Sequence, residues 1–160
     1  MDNRVIDNLD RHWGQAGGPD RAAMIPGIFL AWCANMRCLA AQIEREHEVL
    51  LLRVRVREAK GSDLLVACGG ELTEDMLSDA GVRFARSWYQ HYLDLWRSDP
   101  ASTASELGSG AYQQEDNWDT YDRFAVALTK AYMGASTAGR ANAGGRLRGW
   151  VKTLFGRADN

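Results

Sequence analysis

The residues able to do chemistry in this chain are few. Three histidines (His12, His47, His91) and three cysteines (Cys33, Cys38, Cys68) stand among 160 residues. A metal site on a helix needs ligands at i, i+3 or i+4, with a further group from elsewhere. Beside His47, Glu44 shares a face and Glu48 does not. His91 with Asp94 makes an i, i+3 pair, which is half a site. Both histidines read as parts of solvated helix faces, and no metal is expected. His12-Trp13 precedes Gly14-Gln15-Ala16-Gly17-Gly18-Pro19 and keeps two readings: a packing or capping histidine, or the wall of a pocket serving a small enzyme.

Nucleophilic catalysis needs a Ser or Cys beside a base that a third group orients. Cys33 and Cys38 lie in apolar helical sequence, where burial raises a thiol pKa. On a helix they would stand about 140° apart, so they do not bridge each other. Cys68 comes just before Gly69-Gly70, at a helix end that disfavours thiolate. Three cysteines without a Cys-x-x-Cys read as free thiols in a reducing compartment. There is no Gly-x-Ser-x-Gly, no P-loop and no dinucleotide fingerprint. The residues therefore point away from an enzyme and away from any cofactor.

One stretch is suited to a macromolecular partner. Glu106, Glu115, Asp116, Asp119 and Asp122 are interleaved with Tyr112, Trp118 and Tyr121. Carboxylates among exposed aromatics can plug a basic cleft, with the rings as anchors and the charge speeding capture. Tyr112, Glu115, Asp116, Trp118, Asp119 and Asp122 are the candidate partner-binding residues. The plainer reading puts Trp118 and Tyr121 in the core and leaves the acids at a helix N-terminus.

Charge is divided unevenly along the chain. Residues 1–138 carry 14 Lys/Arg against 20 Asp/Glu, and residues 139–160 carry 5 against 1, within a net charge of −2. The tail places Arg146, Arg148 and Lys152 around a Leu147, Trp150, Val151, Leu154 stripe. It could pack on the domain, lie on an anionic surface or contact nucleic acid, but five cations are too few for strong nucleic-acid binding by charge alone. No apolar signal region opens the chain, and no run reaches about 18 apolar residues. A cytoplasmic protein without a transmembrane segment is expected.

Helices must position these residues. The apolar spacing predicts a helix capped by Asp2 or Asn3 through about His12, and another over 21–42 with Ile25, Ile28, Phe29, Trp32 and Met36 on its buried face. Residues 44–58 read as helix, although Arg53-Val54-Arg55-Val56-Arg57 alternates like a strand. Further helices are expected at 62–68, from Thr73, and over 78–97 and 116–133. A loop is expected at 98–114, a Gly/Ala linker from 134 and a short basic helix at 146–155. The fold class is all-α: a single compact domain of five or six helices over 1–134, with a linker and basic amphipathic tail over 135–160.

The order of motifs resembles a bacterial family of small cytosolic proteins of unknown function. The matching residues are Trp13, Gly27-Ile28-Phe29-Leu30-Ala31-Trp32, and Leu64-Leu65-Val66-Ala67-Cys68-Gly69-Gly70-Glu71-Leu72. Gly81, Phe84, Ala85, Trp88, Tyr89, Tyr92 and Leu93 follow, then Trp118, Tyr121, Asp122 and Arg123. The resemblance covers about residues 10–130 and departs at Ile25-Pro26, where the family has His-Ile. It implies an immunity protein that occludes the active site of a cognate toxin, such as a type VI secretion effector, in a 1:1 complex without obligate nucleic acid. Two competing readings are a small enzyme with its site near the His12-Trp13 glycine loop and an accessory protein that uses the tail.

Overall fold

Eleven consecutive residues, Met24 to Ala34, are buried. A helix apolar on every side needs neighbours all round it, and the rest of the chain supplies them. The computed structural model describes residues 4–100 and 110–155, with side chains as far as Thr137. In chain order the elements are β1 (Val5–Asn8), α1 (Leu9–Ala16), α2 (Pro19–Ala22), α3 (Met24–Asn35), α4 (Ala41–Glu46), α5 (Glu48–Arg55), α6 (Gly61–Ala67), β2 (Glu71–Thr73), α7 (Asp79–Ser98) and α8 (Trp118–Phe155). Short 3-10 turns occupy Glu74–Met76 and Gly110–Gln113.

The central α3 meets α6 backbone to backbone. A Cβ on Gly27 would lie 2.5 Å from the Ser62 nitrogen, so only glycine admits this crossing. On another side α7 lays Phe84, Tyr89 and Tyr92 against Phe29, with ring centroids 6.3, 4.9 and 5.4 Å away. Helix α8 closes the core by stacking Phe124 on Trp96 at 3.8 Å, and its Thr129 hydroxyl accepts the Trp32 indole N–H at 3.0 Å.

The fold is helical, as expected, but it is not strictly all-α, and the described residues form eight α-helices rather than five or six. Strands β1 and β2 pair antiparallel, with Val5 opposite Thr73, Asp7 opposite Leu72 and Asn8 opposite Glu71. The helix expected up to His12 instead begins after this strand, capped by Asn8, whose side chain accepts the Arg11 amide at 3.0 Å. Asp2 and Asn3, the expected caps, lie outside the described residues. The long helix expected over 21–42 ends at Asn35, where Arg37 turns into positive φ and Leu39 bridges to Leu77. Residues 41–55 are helical, with a break at His47.

No linker interrupts α8. Its backbone runs helical through 134–145 to Phe155. Gly134, Gly139, Gly144 and Gly145 each disfavour helix by about 1 kcal/mol relative to alanine, and the interspersed Ala135, Ala138, Ala141 and Ala143 are the strongest helix formers. Among the described residues, no helix is long and apolar enough to cross a membrane.

Candidate functional site

A buried carboxylate organises one end of the molecule. A register irregularity between Val5 and Asp7 breaks the alternation of the Val5-Ile6-Asp7-Asn8 strand, so that Val5 is exposed while none of Asp7 is. Isolating a charge this way costs several kcal/mol unless donors surround it. They do here. The Tyr89 hydroxyl from α7 donates to Oδ2 at 2.5 Å, His12 Nε2 meets the same oxygen at 2.8 Å, and the Asn8 amide donates to Oδ1 at 2.9 Å. Arg11 adds its charge at 3.7 Å.

The network continues through His12. In the tautomer that directs Nε2–H at Asp7, Nδ1 is an acceptor, and the Tyr112 hydroxyl lies 2.6 Å from it. Tyr112 comes from the 3-10 turn at 110–113, a hundred residues along the chain. Burial, reinforced by the Asp7 charge, pushes both the Tyr89 and the Tyr112 phenols above their ordinary value, so both remain donors at neutral pH. Both ring nitrogens of His12 are thereby engaged. The imidazole orients Tyr112; it has no nitrogen left for a substrate.

Beside this network opens a cleft of about 360 Å³. Arg11, His12 and Gln15 of α1, Leu93, Trp96 and Arg97 of α7, and Tyr112 form most of its wall. Of the glycine-rich segment, Gln15 is the residue that reaches this wall. Gly17, at φ +74°, is the left-handed cap that stops α1 by returning its N–H to the Trp13 carbonyl, and Trp13 itself is half exposed. Trp96 has the one buried side-chain polar atom among the described residues without a hydrogen bond, its Nε1. Its neighbour Tyr92 donates instead to the Ile25 carbonyl at 2.6 Å.

The acidic-aromatic stretch does not converge as a unit. Tyr112 is interior. Asp116 is half-buried and takes a hydrogen bond from the Ser62 hydroxyl, with Lys60 at 4.0 Å. Burial raises its carboxyl pKa, against the pull of Ser62 and Lys60. Trp118, also half-buried, lies under the Arg57 guanidinium at 5.0 Å and edge-on to the buried Tyr121 at 4.7 Å. Arg57 grips Asp122 with both terminal nitrogens, at 2.7 and 2.9 Å. Glu115 and Asp119 are exposed. Trp118, Asp119 and Asp122 thus stand within the first five residues of α8, with Glu115 and Asp116 just before it. The helix begins there because Asn117 caps it, accepting the Thr120 amide at 2.9 Å. Glu106 lies outside the described residues.

The remaining reactive groups are held inert. Burial keeps the Cys33 thiol well above its ordinary value and pushes Cys68 to about 11. His91 packs edge-on to Trp88 at 5.2 Å. Asp94, its expected partner, is taken by Arg97 at 2.7 Å. Among the described residues no group of three His, Cys, Asp or Glu could hold a metal ion. Asp7, Tyr89, Arg11 and Arg97 were not singled out as site residues by their spacing. A lone acid between β-branched residues and an Asn cap was the only local signal.

Residues 5–109 match the family described as a domain of unknown function, DUF7832. The chain belongs to that family. The DUF7832 match takes in Asp7, His12, Tyr89 and both cleft arginines but ends before Tyr112, so all six candidate partner-binding residues and the Trp118-to-Arg123 motif lie beyond it. No curated protein and no solved structure matches the chain.

Proposed function

We propose that this chain is a non-enzymatic binding protein, and specifically an immunity protein that occludes the active site of a cognate toxin through the face at the start of α8. The observation that carries this reading is the composition of that face. A half-buried Trp118 lies under Arg57, and exposed carboxylates at Glu115, Asp119 and Asp122 flank it along the sequence. Trp and Arg are the residues that dominate binding energy at protein interfaces, and a charged rim steers a basic partner into place. The closed Asp7–His12–Tyr112 network favours binding over turnover, because its imidazole is consumed internally.

Affinity capture of the tagged chain from lysate of its own host, read by mass spectrometry, tests the proposal. The expected result is a stoichiometric toxin domain that is lost when Glu115 and Asp119 are both replaced by Lys. Capture of a toxin that the double reversal leaves untouched would remove this face from the interface. Recovery of no stoichiometric protein would overturn the immunity reading.

A further inference from the structure

The lining of the cleft beside His12 is suited to one kind of small molecule. Among the described residues the cleft is lined by two guanidinium groups, Arg11 and Arg97, and by no carboxylate. Its opposite character comes from Ile25, Leu93 and Trp96, which give apolar wall. At about 360 Å³ it lies within the range of small-molecule sites, which combine apolar lining with a few placed polar groups.

Both cations are available. Among the described residues Arg97 pairs with Asp94, three residues earlier on the same helix, and both side chains are more than half exposed. Such a pairing is worth little in water and is easily exchanged. Arg11 spends one nitrogen on the Ile6 carbonyl at 3.3 Å, near the Asp7 carboxylate, and keeps its other donors. A planar guanidinium matches a carboxylate through two parallel hydrogen bonds. Tyr112, its proton held toward His12 Nδ1, presents oxygen lone pairs at the wall. Gln15 is exposed at the rim.

The geometry points to a binding site for a small organic carboxylate with an aromatic or branched apolar body. The carboxylate sits between Arg97 and Arg11, and the body lies against Ile25, Leu93 and Trp96. A partner on the α8 face and a ligand in the cleft are separate events, read by separate variants, so this inference does not rest on the toxin reading.

Isothermal titration of the full chain tests it with indole-3-acetate, benzoate and 4-methylpentanoate, each beside its primary amide, and with inorganic phosphate. One carboxylate is expected to bind at one site per chain, while its amide and phosphate do not. Arg97→Gln should weaken that binding about tenfold or more, the effect of losing a charge-assisted pair. Gln15→Glu, which sets a negative charge at the rim, should weaken it as well. Both positions are exposed, so each unliganded variant should melt with the parent. The inference falls if none of the three acids binds, if acid and amide bind alike, or if both variants bind as the parent does. Phosphate binding as tightly as the best acid would show a charge site without apolar recognition and would overturn the ligand class.

Discussion

The Asp7 network and the start of α8 use the same residue types to opposite ends. Each contains a carboxylate, an aromatic ring and an arginine. At Asp7 the carboxylate is fully buried and its donors come from α1, α7 and its own strand. At Asp122 the carboxylate and Arg57 are each about half exposed, at 49% and 51%, and pair with one another beside Trp118. Water decides the difference. A buried charge that loses its donors has nothing to replace them, whereas an exposed one is rehydrated at once. The first region is thus committed to holding the fold, and the second can exchange its pairing with water at little cost.

The sharpest way to break this comparison is Asp7→Ala. It strands the Tyr89 hydroxyl and the His12 Nε2–H inside the protein, and about 3–5 kcal/mol of stability should be lost, read from urea unfolding. A loss under about 1 kcal/mol would put Asp7 on the level of a surface pair. Tyr112→Phe removes one neutral hydrogen bond to His12 and should cost about 1 kcal/mol.

Asp116 tests the boundary between the two regions. Its pKa is raised by burial, so the folded chain holds this proton more tightly than the unfolded chain does. Ionisation therefore lowers stability as pH rises through the raised value, and the cost is present at neutral pH and absent in acid. Asp116→Asn, whose amide oxygen can still accept from Ser62, should melt above the parent at pH 7 and together with it in acid. A variant that melts below the parent at pH 7 would show that Lys60 and Ser62 outweigh burial.

The smallest expected effects belong to the exposed face. Arg57→Gln should cost under about 1 kcal/mol, a difference that salt erodes. Asp119→Lys should shift stability by no more than about 0.5 kcal/mol, checked by thermal melting. A larger loss at Asp119 would mean that the face is structural after all.

The sequence was legible where one periodicity ran long enough. Residues 78–97 alternate their aromatic side at helical spacing, and α7 spans Asp79–Ser98. The apolar run in α3 showed burial but not where the helix would stop. Its end at Asn35 depends on a turn at Arg37 and a bridge to Leu77, a contact 38 positions away. Strand β1 has four residues, too few for alternation to outweigh a helical reading of Val5, Ile6 and Leu9. The acidic-aromatic stretch was recognised as a cluster in sequence, yet helical geometry and the Gly110–Gln113 turn divide it. Tyr112 is interior and hydrogen-bonded to His12, and no local pattern near either residue announces the other.

The hundred residues between His12 and Tyr112 set an order of events during synthesis. A ribosome adds about 5–20 residues per second, so Asp7 and His12 wait about 5–20 seconds before Tyr112 is even made. Until then the amino-terminal strand can meet β2 and Tyr89, but its last partner does not exist. The segment around Asp7 and His12 is completed a hundred residues later, and a nascent chain stalled short of Tyr112 carries that segment unfinished however long it waits.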